Sequence, residues 1–498
     1  MVKKVVLLVF ISFVSIGNCC GKFIVDDDAG GDFTSIQQAI EQAIDGEVIE
    51  IMNGTYYENL DLKGKAIVLT GTVPADPNIV DNTIIDGGGA DCVIKCVTNE
   101  GPNTIITGLT ITNGNAENSY LSAKGGGIRC VNSSPTIRYC KIRNNTSWFG
   151  GGGMYCSDCN SIIFNCEFEN NKATYGGGGG VLAIHNCVLT ISNCLFLKNK
   201  STYQYGGNGG GLYCGGEGTV IRNCTFFGNS AYYVIEDSNL GSGGGLCVPD
   251  GGLVEDCIFE NNIAGGGGGI SCIYGTIKNC TFKNNIAKIG AGIRCVSQSG
   301  IPTGTVIDNC DFTNNHAFVE GGAIEIATYD VEINNSRITG NISDIIGGGI
   351  QAYATDAVIS NCVIKGNVAY GNESYYGGGG IYFWWPSEQG EPICILENTI
   401  VCSNQPDQIY GDCDFIGESM VSDICPSKLR EYQGDVNADG RVDMVDLAML
   451  SMEWEEQFSD KSVLCEYGPF LYSDISSNGT VDIEDLALVS IDWLKGSW

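Results

Sequence analysis

Basic residues and histidine are scarce in this chain of 498 residues: 26 Lys and Arg stand against 58 Asp and Glu, with only two His, for a formal net charge of −32. No Lys/Arg cluster is present that could neutralise phosphates, which excludes nucleic acid as a partner. A polyanionic glycan would be repelled as well unless a cation bridged it; otherwise the acidity describes a well-solvated surface. Long apolar runs are missing too. Beyond the N-terminus no stretch approaches the roughly 20 apolar residues of a membrane span, so no membrane span is expected.

The N-terminal run is of another kind. Lys3-Lys4 precede apolar Val5 to Gly17, then small and polar residues follow. This reads as a secretory signal over residues 1–20, with a secreted or cell-surface protein as the consequence. Cys19 and Cys20 fit a lipoprotein anchor poorly.

Glycine, by contrast, is abundant at 71 residues, and its placement is periodic. Between Asn103 and Cys402 two short motifs alternate. One is a glycine run leading into a strand, as in Gly125-Gly-Gly-Ile128-Arg-Cys130, Gly151-Gly-Gly-Met154-Tyr-Cys156 and Gly209-Gly-Gly-Leu212-Tyr-Cys214. The other ends a strand and turns, as in Asn165-Cys-Glu-Phe168-Glu-Asn-Asn171, Asn279-Cys-Thr-Phe282-Lys-Asn-Asn285 and Asn309-Cys-Asp-Phe312-Thr-Asn-Asn315. Successive copies of the second motif lie 23 to 33 residues apart. A repeat in this range, made of short strands punctuated by Gly and Asn, excludes helical repeats. Gly and Asn tolerate the left-handed backbone of a tight turn, and Asn at the same turn of every coil can stack its amides in a ladder. The fold class expected is all-β: a right-handed parallel β-helix over residues 21–426, with coils about 4.8 Å apart and a rod roughly 60 Å long.

Ahead of the repeats, Thr34-Ser-Ile-Gln37 reads as a capping box, and Phe33, Ile36, Ile40, Ala43 and Ile44 form one apolar helical face. That helix is expected to cap the first coil. The stretch Gly54-Thr-Tyr-Tyr-Glu58-Asn, after Val48 to Met52, resembles the opening of pectin-methylesterase-like and pectate-lyase-like β-helices. The glycine and Phe-x-x-Asn motifs resemble the repeats of bacterial polymorphic outer-membrane proteins. These resemblances imply the fold; one fold hosts many functions.

Most of the 25 cysteines fall at two repeated places, after the glycine run (Cys130, Cys156, Cys214, Cys272, Cys295) and inside the Asn-Cys motif (Cys140, Cys166, Cys194, Cys224, Cys257, Cys280, Cys310, Cys362). Strand alternation points both sets inward as stacked core columns, where cysteine packs as a small hydrophobe. Some neighbours could oxidise in a secreted protein, with the pairing left open. Coil-length spacing argues against metal clusters.

Residues 427–434 read as a linker, and beyond them one loop occurs twice. Asp435, Asn437, Asp439, Asp443 and Asp446 recur as Asp474, Ser476, Asn478, Asp482 and Asp485, with Gly440 and Gly479 at the sharp turn. Oxygen donors at loop positions 1, 3, 5, 9 and 12, with a backbone carbonyl from Arg441 or Thr480, suit Ca2+. Each loop runs into one amphipathic helix. This tandem, residues 435–498, resembles the type I dockerin, a small α-helical module with two EF-hand-like calcium loops. The resemblance implies calcium-dependent folding and docking onto a cohesin domain of a scaffold or surface protein. The second loop has fewer carboxylates and is expected to bind more weakly. Met444-Val445 and Ile483-Glu484 depart from the hydroxyl-bearing pair that often chooses the cohesin.

The strand after each glycine run starts with an inward residue, so the next one is expected to face solvent. Down the rod that column reads Arg129, Tyr155, Leu182, Tyr213, Cys247, Ser271, Arg294, Glu325, Gln351, Tyr382. Arg129, Tyr155, Tyr213, Gln351 and Tyr382 are the candidate polysaccharide-binding residues, since rings stack on sugar faces and polar groups hold hydroxyls. Turns add Trp148-Phe149, Tyr203, Tyr205, Tyr232-Tyr233 and Tyr375-Tyr376, and Phe383-Trp384-Trp385 follows the last such strand. The plain alternative is a set of outward sheet residues with no ligand. For catalysis, Glu325 with Glu320, Asp344 or Asp330 nearby offers the paired carboxylates of a glycosidase, and Arg294 offers the base of a lyase. No Gly-His-Gly is present, and His185 and His316 each stand alone in the sequence. The expected function is a secreted calcium-binding protein acting on extracellular polysaccharide as a lyase or O-glycosyl hydrolase. The alternative is a non-catalytic adhesive or carbohydrate-binding rod.

Overall fold

The computed structural model describes residues 21–117, 124–202, 207–231, 233–235, 238–296, 304–327, 330–353, 356–371, 377–384, 394–423 and 425. The expected signal segment, the linker and both calcium loops lie outside the described residues, as do Tyr203, Tyr205, Tyr232, Tyr375, Tyr376 and Trp385.

Each coil visits up to four parallel sheets in a fixed order. In one coil these strands are Ile162–Phe164, Glu167–Glu169, Lys172–Ala173 and Val181–Ile184. Stacked coil on coil they build a first sheet of 15 strands, a second of 14, a third of 10 and a fourth of 13. The result is the expected parallel β-helix.

Left-handed residues punctuate the coils. In that coil Asn165 and Asn170 have φ of +53° and +52°, and the same turns recur as Asn279 and Asn284 or Asn309 and Asn314. The glycine run is needed for close approach. A Cβ on Gly152 would lie 2.5 Å from both the Gly179 carbonyl oxygen and the Lys172 nitrogen, so no side chain fits where this segment passes the third sheet.

From Asn145 to Asn404 the residue after the left-handed position that ends each second-sheet strand is a buried Asn, and these form the expected ladder. Asn171 Nδ2 donates to Asn199 Oδ1 at 3.0 Å and to the Ile142 carbonyl at 2.8 Å, while Asn171 N donates to the same Asn199 Oδ1 at 3.0 Å. The pattern repeats from Asn145 to Asn404, where Gln408 Oε1 accepts the last pair of bonds at 3.0 and 2.9 Å. Every side-chain donor and acceptor is thereby used, which is what makes a buried column of amides tolerable. Beside it Phe168, Phe196, Phe226, Phe259, Phe282 and Phe312 stack with centroids 4.6 to 5.0 Å apart.

Both cysteine columns lie in the core as expected. Thiols of the Asn-Cys motif donate to the carbonyl two residues earlier, as Cys166 does to Phe164 at 3.4 Å. The disulfide among the described residues, Cys402–Cys425, joins two cysteines outside the columns.

The N-terminal cap forms over Ile36–Gln42, with a correction to its chemistry. Ser35, rather than Thr34, is the N-cap, accepting from Gln38 N at 3.3 Å. The carboxylate that serves the first turn is Glu58, taking Ile36 N at 2.7 Å and Gln37 N at 2.9 Å, whereas Gln37 turns to Asp61 of the same neighbouring coil. Ile44 falls past the helix end and is 68% exposed, so it is not part of the buried face that Ile36, Ile40 and Ala43 make.

Candidate functional site

Strand register brings the predicted column together. Arg129 pairs with Tyr155, Tyr155 with Leu182 and Leu182 with Tyr213. Further along, Ser271, Arg294, Glu325, Gln351 and Tyr382 occupy successive strands of the fourth sheet. The column ends at Tyr410, whose ring stacks on Tyr382 at 4.8 Å. The inward residues Ile128, Met154, Leu212, Ile293, Ile324 and Ile381 are fully buried, as the alternation requires.

Much of the column is closed off from open solvent, which corrects the sequence expectation there, while Arg129, Tyr213, Ser271 and Arg294 stay half-buried. Tyr155 is 2% exposed, Glu325 5%, Gln351 2% and Tyr382 6%. The turns leading into the glycine runs fold over it. Lys124 Nζ sits 5.0 Å above the Tyr155 ring and donates to its hydroxyl at 3.2 Å. A Cβ on Gly150 would strike the Leu182 side chain, and one on Gly266 would meet the Arg294 side chain at 2.5 Å. Trp148 and Tyr175, one coil apart in that covering turn, stack at 5.5 Å with Phe149 edge-on to Tyr175. Burial pushes the Tyr213 phenol up to about 12.

Within this column the chemistry gathers at Arg294 and Glu325. The Arg294 Nε lies 3.3 Å from Glu325 Oε2. Burial lifts the Glu325 carboxyl to about 7; the Arg294 guanidinium opposes the rise and the nearby Glu320 carboxylate adds to it. Glu320, at the end of the third-sheet strand His316–Glu320, is also raised by burial, again opposed by Arg294. Beside Glu325, Gln351 Oε1 is buried with no hydrogen-bond partner among the described residues. A carboxyl that titrates near neutrality, a second acid and a cation in one water-poor site can move a proton or steady a developing charge.

The other predicted acids lie elsewhere. Asp344 is held by His316 Nε2 at 2.8 Å, so His316, alone in the sequence, has a partner one coil away. Asp330 is a left-handed turn residue (φ +53°) beyond the fourth-sheet strand that carries Glu325. His185 likewise sits at a left-handed turn with φ +54°. Downstream of Gln351, Tyr353 stacks on Trp384 at 5.1 Å with both rings 41% exposed, an outward aromatic pair in which Tyr353 was not singled out. Period-2 alternation from Gln351 would have found it.

The described residues contain one group of three carboxylates close enough to share a cation, Asp26, Asp27 and Asp28 near the N-terminal cap, and it lies in a different part of the rod from Glu325. Among the described residues no helix is long and apolar enough to cross a membrane.

The model of the right handed beta helix region matches residues 32–232 and 127–318, and that of the dockerin type I domain matches residues 433–492. No curated protein matches. Similar solved structures include the Agl-KA catalytic domain, 13% identical over 75% of this chain with a TM-score of 0.40; the chain spans 63% of that domain's length. The Azotobacter vinelandii mannuronan C-5 epimerase AlgE6 A-module is 12% identical, with 79% of this chain and 94% of that one covered and a TM-score of 0.33. The pectin methylesterase from carrot is 11% identical, with 81% and 90% covered and a TM-score of 0.25. With its repeats matched across more than half its length, the chain belongs to the right-handed β-helix family, and it carries a type I dockerin domain after the rod.

Proposed function

We propose that this is a secreted protein that acts on extracellular polysaccharide along the fourth sheet and is held by its dockerin on a cohesin-bearing scaffold. The observation that carries the reading is the Arg294–Glu325 pair with Glu320 beside it, in a column that continues into Gln351 and the aromatic pairs at Tyr382 and Tyr353. Glu325, protonated up to about pH 7, is the group suited to give a proton to a leaving oxygen. Glu320 is the second carboxylate. Arg294 balances charge on Glu325; paired in this way, it is a poorer base than a lyase would want. A glycosyl hydrolase is therefore favoured over a lyase.

Type I dockerins bind calcium. The loop donors Asp435, Asn437, Asp439, Asp443, Asp446 and their counterparts from Asp474 to Asp485 are hard oxygen ligands that fit that ion. The ion would order the docking module and takes no part in the chemistry proposed for Glu325.

A second reading, a non-catalytic carbohydrate-binding rod, is favoured by the burial of the would-be catalytic and binding groups, with Glu325 5% and Gln351 2% exposed. Product release from a polysaccharide panel by the folded chain, with and without calcium, separates the two. New reducing ends that vanish in Glu325→Gln support the hydrolase. Unsaturated ends would point to a lyase instead, and silence across the panel would leave the binding rod.

A further inference from the structure

The turn between the first and second sheets carries a left-handed residue in coil after coil, and from Asp256 to Asn335 its side chain is engaged by a neighbouring coil. Asn309 Nδ2 donates to Asn279 Oδ1 at 2.9 Å, Asn279 Nδ2 to Asp256 Oδ1 at 3.0 Å, and Asn335 Nδ2 to Asp308 Oδ1 at 2.8 Å. Asn165 and Asn193, on adjacent coils with φ of +53° and +52°, make no such pair, as is also the case at Asn223 and Asn361. Among the described residues neither amide has a hydrogen-bond partner, and neither does the half-buried Glu167 carboxylate, whose strand begins beside them.

At Asn165 and Asn193, unlike Asn223 and Asn361, a wall stands over the turn. The insertion between Gly71 and Thr83 holds the short helix Pro77–Asn82, fixed across the coils by named contacts. Lys141 Nζ donates to both oxygens of Asp81 at 2.8 Å, and Thr110 Oγ1 donates to the Val80 carbonyl at 2.7 Å. Wall and turns enclose an open cleft of about 280 Å³. Pro74, Pro77 and Val80 give it an apolar side, the Tyr139 turn closes one end, and Asn165, Asn193 and Glu167 supply its polar floor.

The lining selects among occupants. Its volume lies just under the ~300–1,000 Å³ of sites for drug-sized ligands, so the occupant is small. Its carboxylate, with Asp81 in the wall, repels an anion, and the Lys141 ammonium is committed to Asp81. One unpaired carboxylate is far from the oxygen set of a hard cation. A peptide strand would need a free sheet edge, and here the first and second sheets run on without one. A hydroxylated ring meets every condition. Its C–H face rests on prolines and valine, while its hydroxyls bridge amides about 4.8 Å apart, the spacing of neighbouring coils.

We propose that this cleft is a binding site for a neutral saccharide unit, on a face of the rod separate from the Glu325 column and independent of what that column does. Calorimetric and saturation-transfer titrations of the full chain would use cellobiose, maltose, xylobiose, chitobiose and, as the anionic comparison, digalacturonate. The expected result is binding of at least one neutral disaccharide, weakened at least about tenfold in Asn165→Gly/Asn193→Gly, whose glycines keep the left-handed turns. Glu167→Gln should weaken it as well, and Asn361→Gly, at an equivalent left-handed turn outside the cleft, should leave it unchanged. Binding of digalacturonate alone, binding of no neutral sugar, or binding retained in the double glycine variant with an unchanged circular dichroism spectrum overturns the proposal. Loss in Asn361→Gly would also overturn it, since that turn lies outside the cleft.

Discussion

Glu325 is neutral at a pH where an exposed glutamate is charged, because burial at 5% exposure costs the anion more than Arg294 returns. The folded pKa of about 7 lies above the ordinary 4.5, so the folded state holds a proton the unfolded chain releases between those values. The associated stability is whole below about pH 4.5 and is lost as pH rises through 7, by at most about 3 kcal/mol. Urea midpoints of the wild type should fall across that window with an extra slope that Glu325→Gln lacks. If Glu325 is the proton donor, turnover should also decline as pH passes about 7, and Glu325→Gln should lower it by roughly 10²-fold or more. An unchanged rate in the variant would remove Glu325 from the chemistry. The adjacency of Arg294 and Glu325 was legible in the sequence, since each directly follows the inward residue that comes after a glycine run. Their burial was not legible. The segments that cover the column, such as Gly266 over Arg294, belong to other parts of the coil, and alternation along one strand says nothing about what folds across it.

At the scale of an element, the asparagine ladder shows how a repeated residue becomes a structural column. Asn285 Oδ1 accepts from both Asn262 N and Asn262 Nδ2, and Asn285 Nδ2 donates to the Phe259 carbonyl. Asn285→Ala orphans these buried partners and should cost at least about 3 kcal/mol. Phe259→Ala opens a gap between Phe226 and Phe282 and should cost about 3–5 kcal/mol. Native-state hydrogen exchange should locate both losses in the flanking coils, with protection near Ile106 and Leu396 kept, because each coil contacts mainly its neighbours. Ladder, stack and thiol columns were all readable from periodicity. The saccharide cleft was not: its wall at Asp81 meets Lys141 across 60 residues, and the insertion that forms it occurs once, outside the repeat. The pairing of His316 with Asp344 escaped for a related reason, since coil lengths vary and place partners 28 residues apart without a constant spacing.

For the whole molecule, rod and dockerin are expected to respond separately to calcium. Asp435→Ala with Asp474→Ala should abolish calcium binding by calorimetry and docking to a cohesin, while the melting of the rod stays put. Calcium binding intact in the double variant would remove the assigned loop ligands. The two ends of the rod differ as well. The first coil is covered by the helix Ile36–Gln42, whereas the last strands, Asp414–Ile416 and Met420–Ser422, leave Phe415 56%, Ile416 48%, Met420 43% and Val421 41% exposed. Among the described residues no further strand pairs with these two, and an open parallel edge is a template for another strand. Among the described residues the rod is thus directional in the way a growing filament is: blunt at the helix over its first coil, open to addition at its last strands. A chain cut shortly after Ser422 should stack end to end at rising concentration, and a charge placed at Val421 should keep it dispersed.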